Sequence, residues 1–174
     1  MPAAVDTSVL LTWSLRLLCG GILLRSLQLL LNWRELPDDR LLGWSVSAHA
    51  SGLAWRFRWI LGYPGCLLVL LVQTVAAVVG LWLPFDALLM PWLAGLLAAL
   101  QFWFNYRFAV VYHASDTMFL IGLGAVFAGA MDPANPTLGA ASLLFLCVQA
   151  MLAYFMAGKA KALAPVWRNG SHLV

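Results

Sequence analysis

"VLLTWSLRLLCGGILLRSLQLLL", Val9–Leu31, decides what kind of protein this is. As a helix rising 1.5 Å per residue it is about 35 Å long, enough to cross a hydrocarbon layer of about 30 Å. No basic residue precedes it, and no small-residue cleavage site follows it. It also exceeds the length of a signal-peptide core. It therefore reads as a retained first transmembrane helix.

The rest of the chain follows suit. Of 174 residues 63% are hydrophobic and 10% charged, with a mean hydropathy of +0.88. Soluble domains carry about 25% charged residues, so there is too little polar surface to cover a water-facing globule. The apolar residues come in long blocks rather than short alternating runs, as lipid-spanning helices require. The expected fold is an all-α integral membrane protein, one transmembrane domain over 1–174. Its bundle has about five helices, at 9–31, 61–83, 87–104, 110–131 and 138–160. Breakers separate them: Pro84 with Asp86, Asn105 with Arg107, and "DPANP" at 132–136. Between the first two blocks, Trp55, Arg56, Phe57, Arg58 and Trp59 interleave rings with guanidinium groups. That pairing suits the headgroup level, so 50–60 reads as an interfacial segment, with a plain loop as the alternative.

Charge then orients the bundle. With five crossings, one border carries Arg34, Arg40, Arg56, Arg58, Arg107, Lys159, Lys161 and Arg168, and the other carries no Lys or Arg. The positive-inside rule places that cationic border in the cytoplasm, with the N-terminus outside. The expected location is the cytoplasmic (inner) membrane. Lys159 and Lys161 then stop the last helix at the membrane surface.

Composition excludes several functions. There is no CxxC, HExxH, GxGxxG or P-loop, and the basic residues form no patch that reads as a nucleic-acid site. Cys19, Cys66 and Cys147 all lie in apolar runs and read as small packing residues. A lone His113, with no second ligand at a suitable spacing, points away from a metal; it is a weak candidate for a proton relay or pigment ligand. His49 lies in a small-residue loop with nothing to define a site.

Polar residues inside the apolar runs stand out. Arg16 and Arg25 each sit about 7 Å from the middle of the first helix and project to opposite faces. Either they snorkel in opposite directions, or at least one pairs with a buried acceptor. The available acceptors are Asp116, Gln28, Gln73, Gln101 and Gln149. Ser115 or Asp116 reads as a helix N-cap. Gly124 with Ala128, and Ala125 with Gly129, form small-xxx-small pairs that let helices approach, within the chain or against a partner. Nine Trp suit interface anchoring, and equally contact with lipid, quinone or pigment.

The closing segment "QAMLAYFMAGKAKALAPVWRNGSHL" resembles the HTTM (horizontally transferred transmembrane) family, the membrane module related to vitamin K-dependent gamma-carboxylase. The matching residues are Tyr154, Phe155, Ala157, Gly158, Lys159, Lys161, Trp167 and Gly170. "SLRLLCGGILLRSLQLL" is similar to the family's opening helix, and "YHASDTMF" to its polar stretch before a helix. The resemblance is to the N-terminal half of the module. It implies Lys161 as a candidate base toward a quinol, with Tyr154 and Gly158 as walls of the slot. A desolvated lysine at a helix end loses proton affinity and can act so. The closing motif is one residue longer than the carboxylase pattern and contains Pro165, so the expectation is a scaffold without the chemistry.

Three functions follow as expectations. The first is a non-catalytic multi-pass subunit of a larger membrane complex, energy-transducing or photosynthetic, in contact with lipid and other subunits. The second is a quinol-dependent carboxylase-like enzyme, or half of a split one, using Lys161. The third is a small quinone-handling or transport protein.

Overall fold

The computed structural model describes residues 6–37, 58–82, 89–108, 114–132 and 134–165, and their regular structure is entirely helical. Helix α1, Thr7–Leu31, starts from Asp6, whose carboxylate accepts the Ser8 N–H at 2.9 Å. Bonds from the Ser8 hydroxyl and N–H hold the Asp6 carboxyl below its ordinary 3.8. The helix ends at Asn32, whose Nδ2 donates to the Gln28 carbonyl at 2.8 Å. A 3-10 turn, Trp33–Glu35, follows. Then come a single turn α2, Arg58–Leu61, and the long helices α3, Gly65–Trp82, α4, Leu89–Arg107, α5, Ala114–Ala130, and α6, Pro136–Leu163. Asn135 caps α6 by accepting the Leu138 N–H at 3.2 Å, and Pro136 sets the first helical φ.

Three of these helices, α1, α3 and α6, are long and apolar enough to cross a membrane. Helix α5 is apolar but shorter, and α4 ends in the polar run "QFWFNYR". The five blocks expected from the sequence thus correspond to five long helices, three of which meet the requirements for a span. Of the expected interfacial segment 50–60, only 58–60 falls among the described residues, within α2.

Boundaries differ in informative ways. Helix α4 continues past residue 104 to Arg107, because Arg107 turns back into the protein instead of marking a water border. Ser115 and Asp116 lie inside α5 rather than capping it. An acidic side chain in a first turn still meets the positive end of the helix dipole, so position 116 keeps a physical reason for Asp without the cap.

The long helices run up and down, and small residues set their distances. A Cβ on Gly80 of α3 would overlap the Cys19 sulfur of α1, so these two helices touch at backbone range. Between α1 and α5, Gly21 faces Phe119 and Gly122 faces Leu18. Gly129 of α5 would place a Cβ 2.9 Å from Ser142 of α6. Around these contacts Leu15, Cys19, Ile22, Ala77, Ala94, Leu97, Leu123 and Val126 form the main core. A second cluster, Leu29, Leu36, Cys66, Leu70, Phe104 and Phe108, closes the end where α1 and α4 finish and α3 begins. The two small-residue pairs separate: Gly129 is buried against α6 and α1, while Gly124 and Ala128 are exposed.

Helix α6 behaves unlike the rest. Of its 28 residues only Gly139 and Ser142 are buried. It is tied to α5 by Gln149 Nε2, which donates to Met118 Sδ at 3.8 Å. Helix α5 begins about one turn before Met118, whereas the antiparallel α6 continues for about four turns past Gln149.

Candidate functional site

The polar residues of the bundle gather at one end, where α1 and α4 finish and α3 and α5 begin. Gln73 lies about 12 Å along α3 from its start and is buried. Its Nε2 donates to Gln101 Oε1 of α4 at 2.7 Å. Gln101 Nε2 donates to Asn105 Oδ1, one turn further along the same helix, at 2.9 Å. Asn105 Nδ2 donates to the backbone carbonyl of Asp116 at 3.3 Å. The Asp116 side chain then meets Arg25 of α1, Oδ1 to Nε 3.5 Å. One polar chain therefore joins four helices, from the interior of the bundle to its end.

Burial gives this chain its weight. Gln73 and Gln101 are each 2% exposed and Asp116 4%, while the Arg25 side chain keeps 21% open. Unpaired amides in such surroundings cost free energy, and the bond between the two glutamines satisfies Gln73 Nε2 and Gln101 Oε1. Gln73 Oε1, Arg25 Nε and Asp116 Oδ1 make no hydrogen bond among the described residues. The two charged atoms are held by proximity and opposite sign. A carboxylate in the first turn of α5 also gains from the helix dipole.

The sequence offers Asp116, Gln28, Gln73, Gln101 and Gln149 as acceptors for a buried arginine. The structure assigns Asp116 to Arg25, pairs Gln73 with Gln101, and gives Gln149 to Met118. Gln28 is exposed. Arg16 takes a different course: its guanidinium lies 5.2 Å from the centre of the Trp13 ring, one turn toward the helix start. Helical side chains lean toward their N-terminus, which carries Arg16 in that direction.

Arg107, read from the sequence as a border cation, turns into the protein. Its side chain is fully buried, Nη2 donates to the Leu36 carbonyl at 3.0 Å, and the guanidinium stands 5.3 Å from the Phe108 ring centre. It ties the end of α4 to the segment after the 3-10 turn. Its position beside Asn105 and Tyr106 at the end of an apolar run reads equally well as a border, so spacing held no signal for its burial.

The residues drawn from the family resemblance lie elsewhere. Tyr154, Gly158 and Lys161 follow one face of α6 and are exposed, with open space where a Gly158 side chain would stand. The apolar stretch from Pro136 to Met156 measures about 31 Å, so Lys159 and Lys161 fall just beyond a hydrocarbon layer of about 30 Å. His113, His49, Trp167 and Gly170 lie outside the described residues. Cys19 and Cys66 are buried and Cys147 is exposed.

At the opposite end of the bundle, a cleft of about 60 Å³ is lined by Thr7, Ser8, Leu11, Met90, Asp132 and Asn135, among others. Small-molecule sites occupy about 300–1,000 Å³. Among the described residues no three His, Cys, Asp or Glu side chains converge. The buried chain of amides carries no titrating group in its interior; it can hold helices together but gives no obvious nucleophile or base. Comparison with protein-family models, with curated proteins and with solved structures found no match to this chain.

Proposed function

We propose that this protein is a non-catalytic, multi-pass membrane subunit whose last helix packs against helices of a larger membrane complex. The carrying observation is the exposure of α6, a 28-residue helix with two buried positions. Leu144, Phe145, Val148, Met151, Leu152, Phe155 and Met156 are exposed, and at 100° per residue they share one face of the helix about 140° wide. The buried polar chain supports the same reading, since its chemistry is cohesive rather than reactive.

On this reading α4 and α5 are also crossings, at about 28 and 25 Å of helix. The cationic border, with Lys159 and Lys161, faces the cytoplasm of an inner membrane. The likeness to the HTTM module belongs to this proposal as a shared scaffold.

The test is a photo-crosslinking amino acid at Met151 in the native membrane, followed by purification in mild detergent. Adducts to one or more discrete membrane proteins are expected. Adducts to lipid alone would remove the subunit reading. So would a Lys161→Ala variant that assembles normally yet loses a quinol-dependent activity.

A further inference from the structure

We propose that the Arg25–Asp116 pair is an interlock: α1 keeps its place in the bundle only while Asp116 of α5 balances the charge of Arg25. The geometry carries this. The atoms are 3.5 Å apart, the Asp116 side chain is 5% exposed, and neither Arg25 Nε nor Asp116 Oδ1 has a hydrogen bond among the described residues. Each charge depends on the other for compensation. Among the described residues nearby, Asn105 is neutral and spends its Nδ2 on the Asp116 carbonyl, and Gln149 is spent on Met118.

The neighbouring turns make the pair sensitive to position. Gly21 against Phe119 and Gly122 against Leu18 continue the α1–α5 contact in the same register. A slide of α1 that separated the charges would drive Phe119 and Leu18 into the opposing backbone. The pair and the glycine contacts therefore enforce one alignment. The partners are also far apart in sequence, so α1 precedes its counter-charge by about half of the chain. An arginine at this depth is unfavourable in lipid by itself. Arg16 differs, because it leans toward the helix start over Trp13 and has no ion-pair partner among the described residues to lose.

Removing one member of a buried pair is worse than removing both, because the survivor is left uncompensated. Cys19 reports the outcome: it is buried in α1 against Gly80, whereas Cys147 is exposed and serves as an internal standard. The experiment is maleimide labelling of the full-length protein in mild detergent, with the labelled cysteines located by mass spectrometry. Asp116→Leu and Arg25→Leu are each expected to speed Cys19 labelling at least about tenfold relative to Cys147, the factor that 1.4 kcal/mol produces. The double variant Arg25→Leu with Asp116→Leu is expected to return within about threefold of the parent, and Arg16→Leu to match it. If a single variant does not accumulate, recovery of accumulation by the double variant is the equivalent result. Any other pattern overturns the interlock, including additive acceleration in the double variant, parent-like protection in the singles, or failure of singles and double alike.

Discussion

The end of the bundle around Asp116 and the far half of α6 are both apolar helix in sequence, and the structure uses them in opposite ways. Around Asp116, four helices close on one another and are joined by side-chain hydrogen bonds and one ion pair. Past Gln149, α6 has no buried position among the described residues and shows Met151, Leu152, Phe155 and Met156 on an exposed face. The first region is stabilised from within. The second has the composition of a helix whose neighbours are lipid or another protein. Substitutions should therefore harm the isolated protein in the first region and its associations in the second.

The largest effect is expected from Asp116→Ala. It strands Arg25, and the loss should be about 3 kcal/mol, the low end for a buried pair because Arg25 stays partly open. Unfolding in mixed detergent reads this directly; a loss below about 1 kcal/mol would erase the contrast between the regions. Gly80→Leu forces bulk into the Cys19 contact and should cost about 1–3 kcal/mol by the same measurement. Gln101→Leu removes two side-chain hydrogen bonds, each worth about 0.6–1.7 kcal/mol in a membrane interior.

On the other side of the comparison, Met151→Ala and Phe155→Ala should change the stability of the isolated protein by less than about 0.5 kcal/mol. Their effect should appear as weaker recovery of partners. A destabilisation matching that of Gln101→Leu would mean that α6 folds back on its own bundle. The smallest effect concerns pH. The Asp6 carboxyl has its pKa lowered by Ser8, so its contribution to the start of α1 is present above 3.8 and is lost as pH falls through the lowered value. Amide protection in the first turn of α1, taken relative to the intrinsic exchange rate, should fall below that point and stay level above 3.8.

Much of this was legible beforehand. The runs 9–31, 61–83 and 138–160 became α1, α3 and α6 because a long apolar run in lipid has few ways to satisfy its backbone other than a helix. Asp116 was among the acceptors named for a buried arginine, for the simple reason that carboxylates are rare in these blocks. The pairing of Gln73 with Gln101 was not legible. The two glutamines are 28 residues apart on separate helices, and nothing local distinguishes that pairing from one with Arg16 or Arg25. Arg107 shows the same limit: a cation at the end of an apolar run looks alike whether it turns to water or inward to the Leu36 carbonyl.

The sequence by itself determined that the chain is helical and built for lipid, and roughly where its helices begin and end. Those outcomes follow from composition and from backbone hydrogen bonding, which act within one helix at a time. Tertiary structure decided which polar groups meet, which small residues face a neighbour, and that the last helix leaves the bundle. These depend on the rotation and register of helices about one another, which side-chain packing sets across distances the linear pattern does not encode.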